Sequence, residues 1–354
     1  MLTIRYDISA TQVLDDRQFA HDLPLMKRAG VDTLYLNTYF YGHWQSAPEE
    51  LYRAAQRLRE EGICAEILHV PFGHGGNALD PDNLHIPLIT GNGWRLRMDA
   101  NGNLLPNTTC PNEKCIADTL EVNRTMQQMG FSMCFLDDDC RLGMWGPSLQ
   151  GCFCPDCMER FGTRIGRPVK REEILAGDDA LQEAWMDFQC EKLVAYLRGI
   201  LPDGMRLGFM AMHNGDRRHG IDLPMIRKAL PDTFFRVGEG HFKDVSFLHP
   251  QARASLEASI CTHMALVGGS DNCCSESTVY PAGALSPENW IRKMEIEIDC
   301  GLRHLFLMSG TRFFDDVYWE ALAAALPALR ARAEQPIPVP EEKPFIWQIS
   351  GSAD

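Results

Sequence analysis

Asp137, Asp138 and Asp139 stand in a row directly after the apolar run Met133-Cys134-Phe135-Leu136. Withdrawing uncompensated carboxylates from water is costly, so a buried strand that stops in three acids points to a wet, polar site. Carboxyl groups so placed can protonate a leaving oxygen, activate water or attack carbon. Side-chain alternation sets Asp137 and Asp139 on one face and Asp138 on the other. Asp139, at the tip and crowded by like charges that favour its protonated form, is the expected general acid/base, with Asp138 next. The plainer alternative is that the three acids cap a turn or hold a cation.

A second chemistry follows within a few residues. Cys152, Cys154 and Cys157 form a C-x-C-x-x-C group, and three thiolates at that spacing can meet one tetrahedral metal ion that needs a fourth ligand. Cys110, upstream of a predicted helix, is the first choice for it, and Cys115, a helical turn further on, the weaker one. Reduced loop cysteines without metal are the plainer reading.

These groups need a scaffold, and the chain reads as a strand, then a helix, repeated. Strands are expected at Leu2 to Ile8, Thr33 to Phe40, Cys64 to Val70, Met133 to Leu136, Met205 to Met212, Phe234 to Val237, Asp271 to Glu276 and His304 to Ser309. Helices are expected at Asp22 to Ala29, Pro48 to Glu61, Glu113 to Met129, Met158 to Gly166, Asp178 to Leu201, Asp222 to Leu230, Gln251 to Leu266, Pro287 to Cys300 and Asp316 to Ala333. Eight such units, with no glycine-rich turn after the first strand, predict an α/β fold of the (β/α)8 TIM-barrel type rather than an open dinucleotide-binding sheet. One barrel is expected over 1–333, with a proline-rich extension over 334–354. Residues 71 to 110 show no sustained period and are expected to form a functional loop over the active site.

In a barrel the reacting groups come from the carboxyl ends of the strands. Those ends supply Asp7, Asn37, Tyr39, His69, Asp137, His213, Glu239, His241 and Glu276, with Trp145 on a nearby loop. Acids, amides and imidazoles beside flat aromatics suit a sugar, which offers polar edges and apolar faces. Glu276, across the barrel from the strand-four acids, is the expected nucleophile. Each histidine taken singly is more often a hydrogen-bonded wall residue.

Bulk properties narrow the partners. With 48 acidic against 34 basic side chains among 354 residues, the net charge of −14 argues against nucleic acid or an anionic membrane and in favour of a small carbohydrate ligand. No stretch is apolar for long enough to span a bilayer, and no signal-like start is seen, so a cytoplasmic location is expected. Thirteen cysteines, an odd number spread over strands, helices and loops, read mostly as reduced core residues, with one cluster set apart for metal. A homo-oligomer is left open.

The order Cys110, helix, strand with a terminal acid, Cys-aromatic-Cys-Pro-x-Cys and a helix containing Phe161 resembles the family 42 glycoside hydrolases, the β-galactosidases of clan A. The resemblance runs over about residues 105 to 165 and is only architectural elsewhere. It implies a structural Zn²⁺ on Cys110, Cys152, Cys154 and Cys157, closed to water by four thiolates. It also implies an acid/base at the strand-four position, here Asp138-Asp139 where the family has Asn-Glu, and a nucleophile at Glu276. An Asp is one methylene shorter than a Glu, which leaves the acid-to-nucleophile distance and the retaining outcome open. The further β domains of longer family members are not expected in this chain, and galactose specificity is not carried over.

The leading expectation is a retaining glycosidase. A metal-dependent sugar isomerase, epimerase or lyase using Asp137, His213, Glu239 and His241 is the second reading, and a non-catalytic sugar-binding barrel the third.

Overall fold

The structure is a computed structural model that describes residues 1–71, 93–137, 140, 142, 148–211, 216–309 and 313–343, except the side chains of 106 and 107. Apolar runs of four to ten residues become parallel strands: β1 (Thr3–Ile8), β2 (Val31–Phe40), β3 (Cys64–Val70), β4 (Met133–Leu136), β5 (Arg206–Ala211) and β6 (Phe234–Val237). They continue as β7, in two segments (Cys273–Cys274 and Ser277–Val279), and β8 (His304–Ser309). Each strand pairs in parallel with the next, and β8 pairs back onto β1. The ring closes through β7, whose first segment pairs with β6 and whose second pairs with β8. This is the (β/α)8 barrel that the strand–helix rhythm predicts.

Inward side chains fill the barrel rather than leaving a pore. Low in the ring, Arg5 lies 4.5 Å over the Phe234 ring and donates to Tyr35 Oη at 3.0 Å. Above it Tyr35 stacks on Phe306 at 4.8 Å, and Phe135 meets Phe306 edge-on at 5.0 Å. Gly208 of β5 makes room for this layer, since a Cβ there would stand 2.1 Å from the Phe135 ring. The outward faces pack on helices, as where Tyr6 meets Trp319 of the helix Asp316–Ala333.

Several elements differ from expectation. The turn after β1 is a helix, Ala10–Leu14, with a reciprocal cap: Ser9 Oγ accepts the Gln12 N–H and Gln12 Oε1 accepts the Ser9 N–H. Asp15 then caps the next helix, Asp16–Arg28, which begins before the expected Asp22. Within 71–110, which the sequence shows as aperiodic, Leu96–Met98 and Leu104–Thr109 form an antiparallel ribbon. Its turn is set by Asp99 Oδ1, which accepts the N–H groups of Asn101 and Asn103 at 2.9 and 2.8 Å. Residues 72–92 of that stretch lie outside the described residues. Finally, the seventh strand is not continuous over Asp271 to Glu276. It breaks at Ser275-Glu276, where Ser275 N–H donates to His304 O at 2.9 Å and Ser275 Oγ accepts the Phe306 N–H at 3.1 Å, replacing ladder bonds. Beyond Ala333 residues 334–343 carry no helix or strand, and Lys343 is held by two bonds with Thr262 Oγ1.

Candidate active site

Alternation places Asp7 with Arg5, Asn37 with Tyr35, Asp137 with Phe135 and Met133, and Glu276 with Cys274, all on the inward faces of their strands. These four polar residues therefore share the upper layer of the barrel. A cation stands among them that sequence reasoning had passed over. Arg236, buried on β6, reaches from the Phe306 and Phe135 rings up to an ion pair with Asp137, with Glu276 Oε1 at 3.7 Å. Burial lowers the Arg236 pKa, but Asp137 and Glu276 more than offset it, so the guanidinium stays charged. A lone Arg in the apolar run Phe-Phe-Arg-Val was the available signal.

The break in β7 aims Glu276. Its Oε2 accepts the Glu239 N–H at 2.8 Å and lies 3.5 Å from the Gly240 N, which leaves Oε1 toward Arg236 and Asp137. Burial pushes the Glu276 carboxyl above its ordinary value, opposed by Arg236, Lys293 and the Glu239 N–H. Asn37 is buried at the end of β2, and neither amide atom has a hydrogen-bond partner among the described residues. Such a group gains from a ligand hydroxyl. Replacing Arg236 with Met leaves the buried Glu276 and the half-buried Asp137 carboxylates without their shared cation; a loss of about 3 kcal/mol in urea unfolding is expected.

Other predicted site residues are not brought to this layer. His69 is turned to the helix Glu113–Gln128, where Nε2 meets Asn123 Oδ1 at 2.8 Å. Because Asn123 Nδ2 donates to Ile200 O, its Oδ1 must accept, so His69 carries its proton on Nε2. Burial pushes the His69 pKa down to about 4. The unfolded chain, with an ordinary value near 6.5, takes up the second ring proton first. Stability is therefore lost as pH falls from about 6.5 toward 4, by on the order of 3 kcal/mol. Urea unfolding at both ends of that window should show the loss, reduced in His69→Gln.

Tyr39 packs its ring against Trp44, His69 and Trp94 at 5.7 to 6.2 Å, and burial raises its pKa to about 12. Glu239 lies behind β7, against Lys293. His241, at a left-handed φ of 58°, directs Nδ1 to Ser246 O at 3.3 Å. Asp138, Asp139, Trp145 and His213 lie outside the described residues.

The cysteines form a separate centre beside the barrel. The ribbon brings in Cys110, whose N–H donates to Arg95 O; Cys154 caps the helix Pro155–Ile165, and Cys157 sits in its first turn. Phe153 stacks on Trp185 at 4.6 Å and Phe161 meets it edge-on at 5.0 Å, a small apolar core for the knot. The ligand atoms of Cys110, Cys152, Cys154 and Cys157 lie within 4.8 Å of one another, and this is the one such group among the described residues. Cys110 Sγ is 3.5 Å from Cys157 Sγ and 3.8 Å from Cys154 Sγ. A tetrahedral ion with metal–sulfur bonds of about 2.3 Å requires sulfurs about 3.8 Å apart, so these four thiols fit a metal. Cys115 instead turns to the Asn112 backbone. Lys192, which sequence reasoning missed in its apolar helix, donates to Cys110 Sγ and Cys157 Sγ, both at 2.8 Å. Burial lowers its pKa, but Cys110 and Cys157 raise it further, so Lys192 stays charged and offsets part of the thiolate charge.

No family model matches the chain, and no curated protein does. Solved structures show a loose likeness to it. A cyclic α-maltosyl-(1→6)-maltose hydrolase from Arthrobacter globiformis is 12% identical with a TM-score of 0.48, over 94% of this chain and 83% of that one. A GH36 α-galactosidase from Geobacillus stearothermophilus is 9% identical with a TM-score of 0.45, over 93% and 42%. A D-psicose 3-epimerase from Clostridium cellulolyticum H10 is 10% identical with a TM-score of 0.42, over 95% and 100%. The chain thus spans about two fifths of the α-galactosidase. At such identities and TM-scores these likenesses carry no argument, so the fold rests on this chain's own strand pairing and the chemistry on its site.

Proposed function

We propose that the chain is a glycoside hydrolase, a divergent relative of family 42, that cleaves a small neutral carbohydrate by double displacement. The observation that carries the reading is Glu276: a carboxylate at the break in β7, with Oε2 tied to backbone N–H groups and Oε1 left toward the polar layer. Glu276 attacks the anomeric carbon, and Asp139, or Asp138 beside it, protonates the departing oxygen and then takes a proton from the incoming water. Burial raises the Glu276 pKa, and Arg236 opposes that shift, favouring the ionised form that attack requires. Asp7, Asn37 and Asp137 are the groups expected to hold sugar hydroxyls, with Trp145 and His213 as further candidates.

The metal-dependent reading is the weaker one for a physical reason. The carboxylates of Asp137 and Glu276 already share a guanidinium where a divalent ion would stand, and Glu239 is engaged with Lys293. We further propose Zn²⁺ as the ion of the four-cysteine centre, in a structural role. None of the thirteen cysteines is in a disulfide, which supports a reducing, cytoplasmic setting. Among the described residues no helix is long and apolar enough to cross a membrane. The barrel over 1–333 is proposed as the working unit, with 334–354 as an extension, acting without nucleic acid.

A panel of aryl glycosides, with the anomer of the released sugar followed by NMR, tests the assignment. Release with retained configuration is expected. Turnover of free sugars that stops on chelation, with no glycoside cleaved, would select the epimerase reading instead.

A further inference from the structure

Behind β7 lies a cluster of charge that the proposed reaction does not use. Lys293, Glu239 and Glu297 come together here, with side chains fully buried for the first two and Glu297 as a residue equally so. Lys293 Nζ donates to Glu276 O at 2.7 Å and to Gly240 O at 2.8 Å, and stands 3.4 Å from Glu239 Oε2. Glu239 Oε1 accepts the Glu276 N–H at 2.9 Å, while Glu276 Oε2 accepts the Glu239 N–H at 2.8 Å. The two residues therefore clasp one another, each carboxyl on the other's backbone. Glu297 Oε2 accepts from Ser277 Oγ at 2.6 Å, just past the break.

One oxygen on each acid is left over. Glu239 Oε2 and Glu297 Oε1 are both buried without a hydrogen-bond donor among the described residues, although the two carboxyl groups lie within hydrogen-bond reach of each other. Two ionised carboxylates and one ammonium would leave a net negative charge sealed from water, with two buried acceptors unsatisfied. A single proton between them removes both problems. Burial and the charge of Glu297 hold the Glu239 carboxyl well above the usual carboxylate range, in the same direction.

We propose that Glu239 and Glu297 share one proton over Lys293, and that this neutral cluster makes Glu239 the positioning residue that fixes Glu276 at the barrel mouth. The positioning role rests on the reading of Glu276 as the reacting carboxylate; the shared proton does not.

The test therefore has two arms, both on the full chain. In infrared spectra at pH 8 the wild-type protein is expected to show the carbonyl stretch of a protonated carboxylic acid. E239Q and E297Q should each abolish it, because the new amide supplies the missing donor, and E276Q should keep it. Absence of the band in the wild type, its persistence in both glutamine variants, or its loss in E276Q would overturn the shared proton. In the second arm, on an aryl glycoside that the wild type cleaves, E239A should lose about 100-fold in kcat with KM within about twofold, as for a misplaced reacting group. E239Q, whose amide oxygen still accepts the Glu276 N–H, should recover most of it. Unchanged kcat in E239A, or failure of E239Q to recover, overturns the positioning role. If the wild type cleaves no glycoside, the hydrolase assignment fails while the infrared arm still decides the proton.

Discussion

Glu276→Gln should lower kcat on a cleaved aryl glycoside by on the order of 10⁴-fold, the size of loss seen when a group at the reacting centre is removed. The variant suits the question because the glutamine oxygen can still accept the Glu239 N–H that now holds Oε2 at 2.8 Å, so the break in β7 is kept. Glu276→Ala opens a space in its place, and azide should restore turnover there by attacking the anomeric carbon directly, as expected only if Glu276 is the nucleophile. The same carboxyl sets the acid limb of the kcat/KM profile. Burial raises its pKa above the ordinary value, and it must be ionised to attack, so activity should fall as pH drops through that raised value. Arg236 acts in the opposite direction, which means that its removal shifts the limb to higher pH. A glutamine variant that keeps full kcat would remove Glu276 from the reaction.

Loss of metal from the cysteine centre should cost stability without touching the mouth of the barrel. Structural zinc binds with about 10–16 kcal/mol of apparent free energy in small domains. If about 5 kcal/mol of that appears as stability of this larger chain, Tm falls by roughly 10 °C at about 2 °C per kcal/mol. Elemental analysis should find one zinc per chain, and Cys152→Ser should lose both the metal and the stability. Lys192→Met removes the ammonium that reaches Cys110 and Cys157 at 2.8 Å. Its metal affinity, measured by competition with a chelating dye, should drop about 10–100-fold. A metal-free protein that melts at the wild-type temperature would end the structural-zinc assignment.

The barrel was legible because its signals are local. A run such as Cys64–Val70 or His304–Ser309 can only be a buried strand between helices, and both appear with the expected bounds. Ser9 and Gln12 also carried a legible capping pair, though the turn there reads as a loop when only glycine is sought. The spacing of Cys152, Cys154 and Cys157 is equally local, since a short segment that turns into a helix must bring three thiols together.

What the chain could not reveal by pattern is which polar residue meets which across the ring. His69 and Glu239 each stand near the end of a strand, where reacting groups are sought, yet they fall on the outward face and pair with Asn123 and Lys293. Arg236 looks out of place in its apolar strand, and Lys192 and Lys293 read as ordinary helix residues, until carboxylates or thiols from distant segments supply their counter-charge. Local periodicity determined the strands, the helices and the thiol spacing, because those depend on neighbours in sequence. The tertiary structure alone decided the ion pairs and the clasp on Glu276, because electrostatic pairing in a buried layer depends on distance through space.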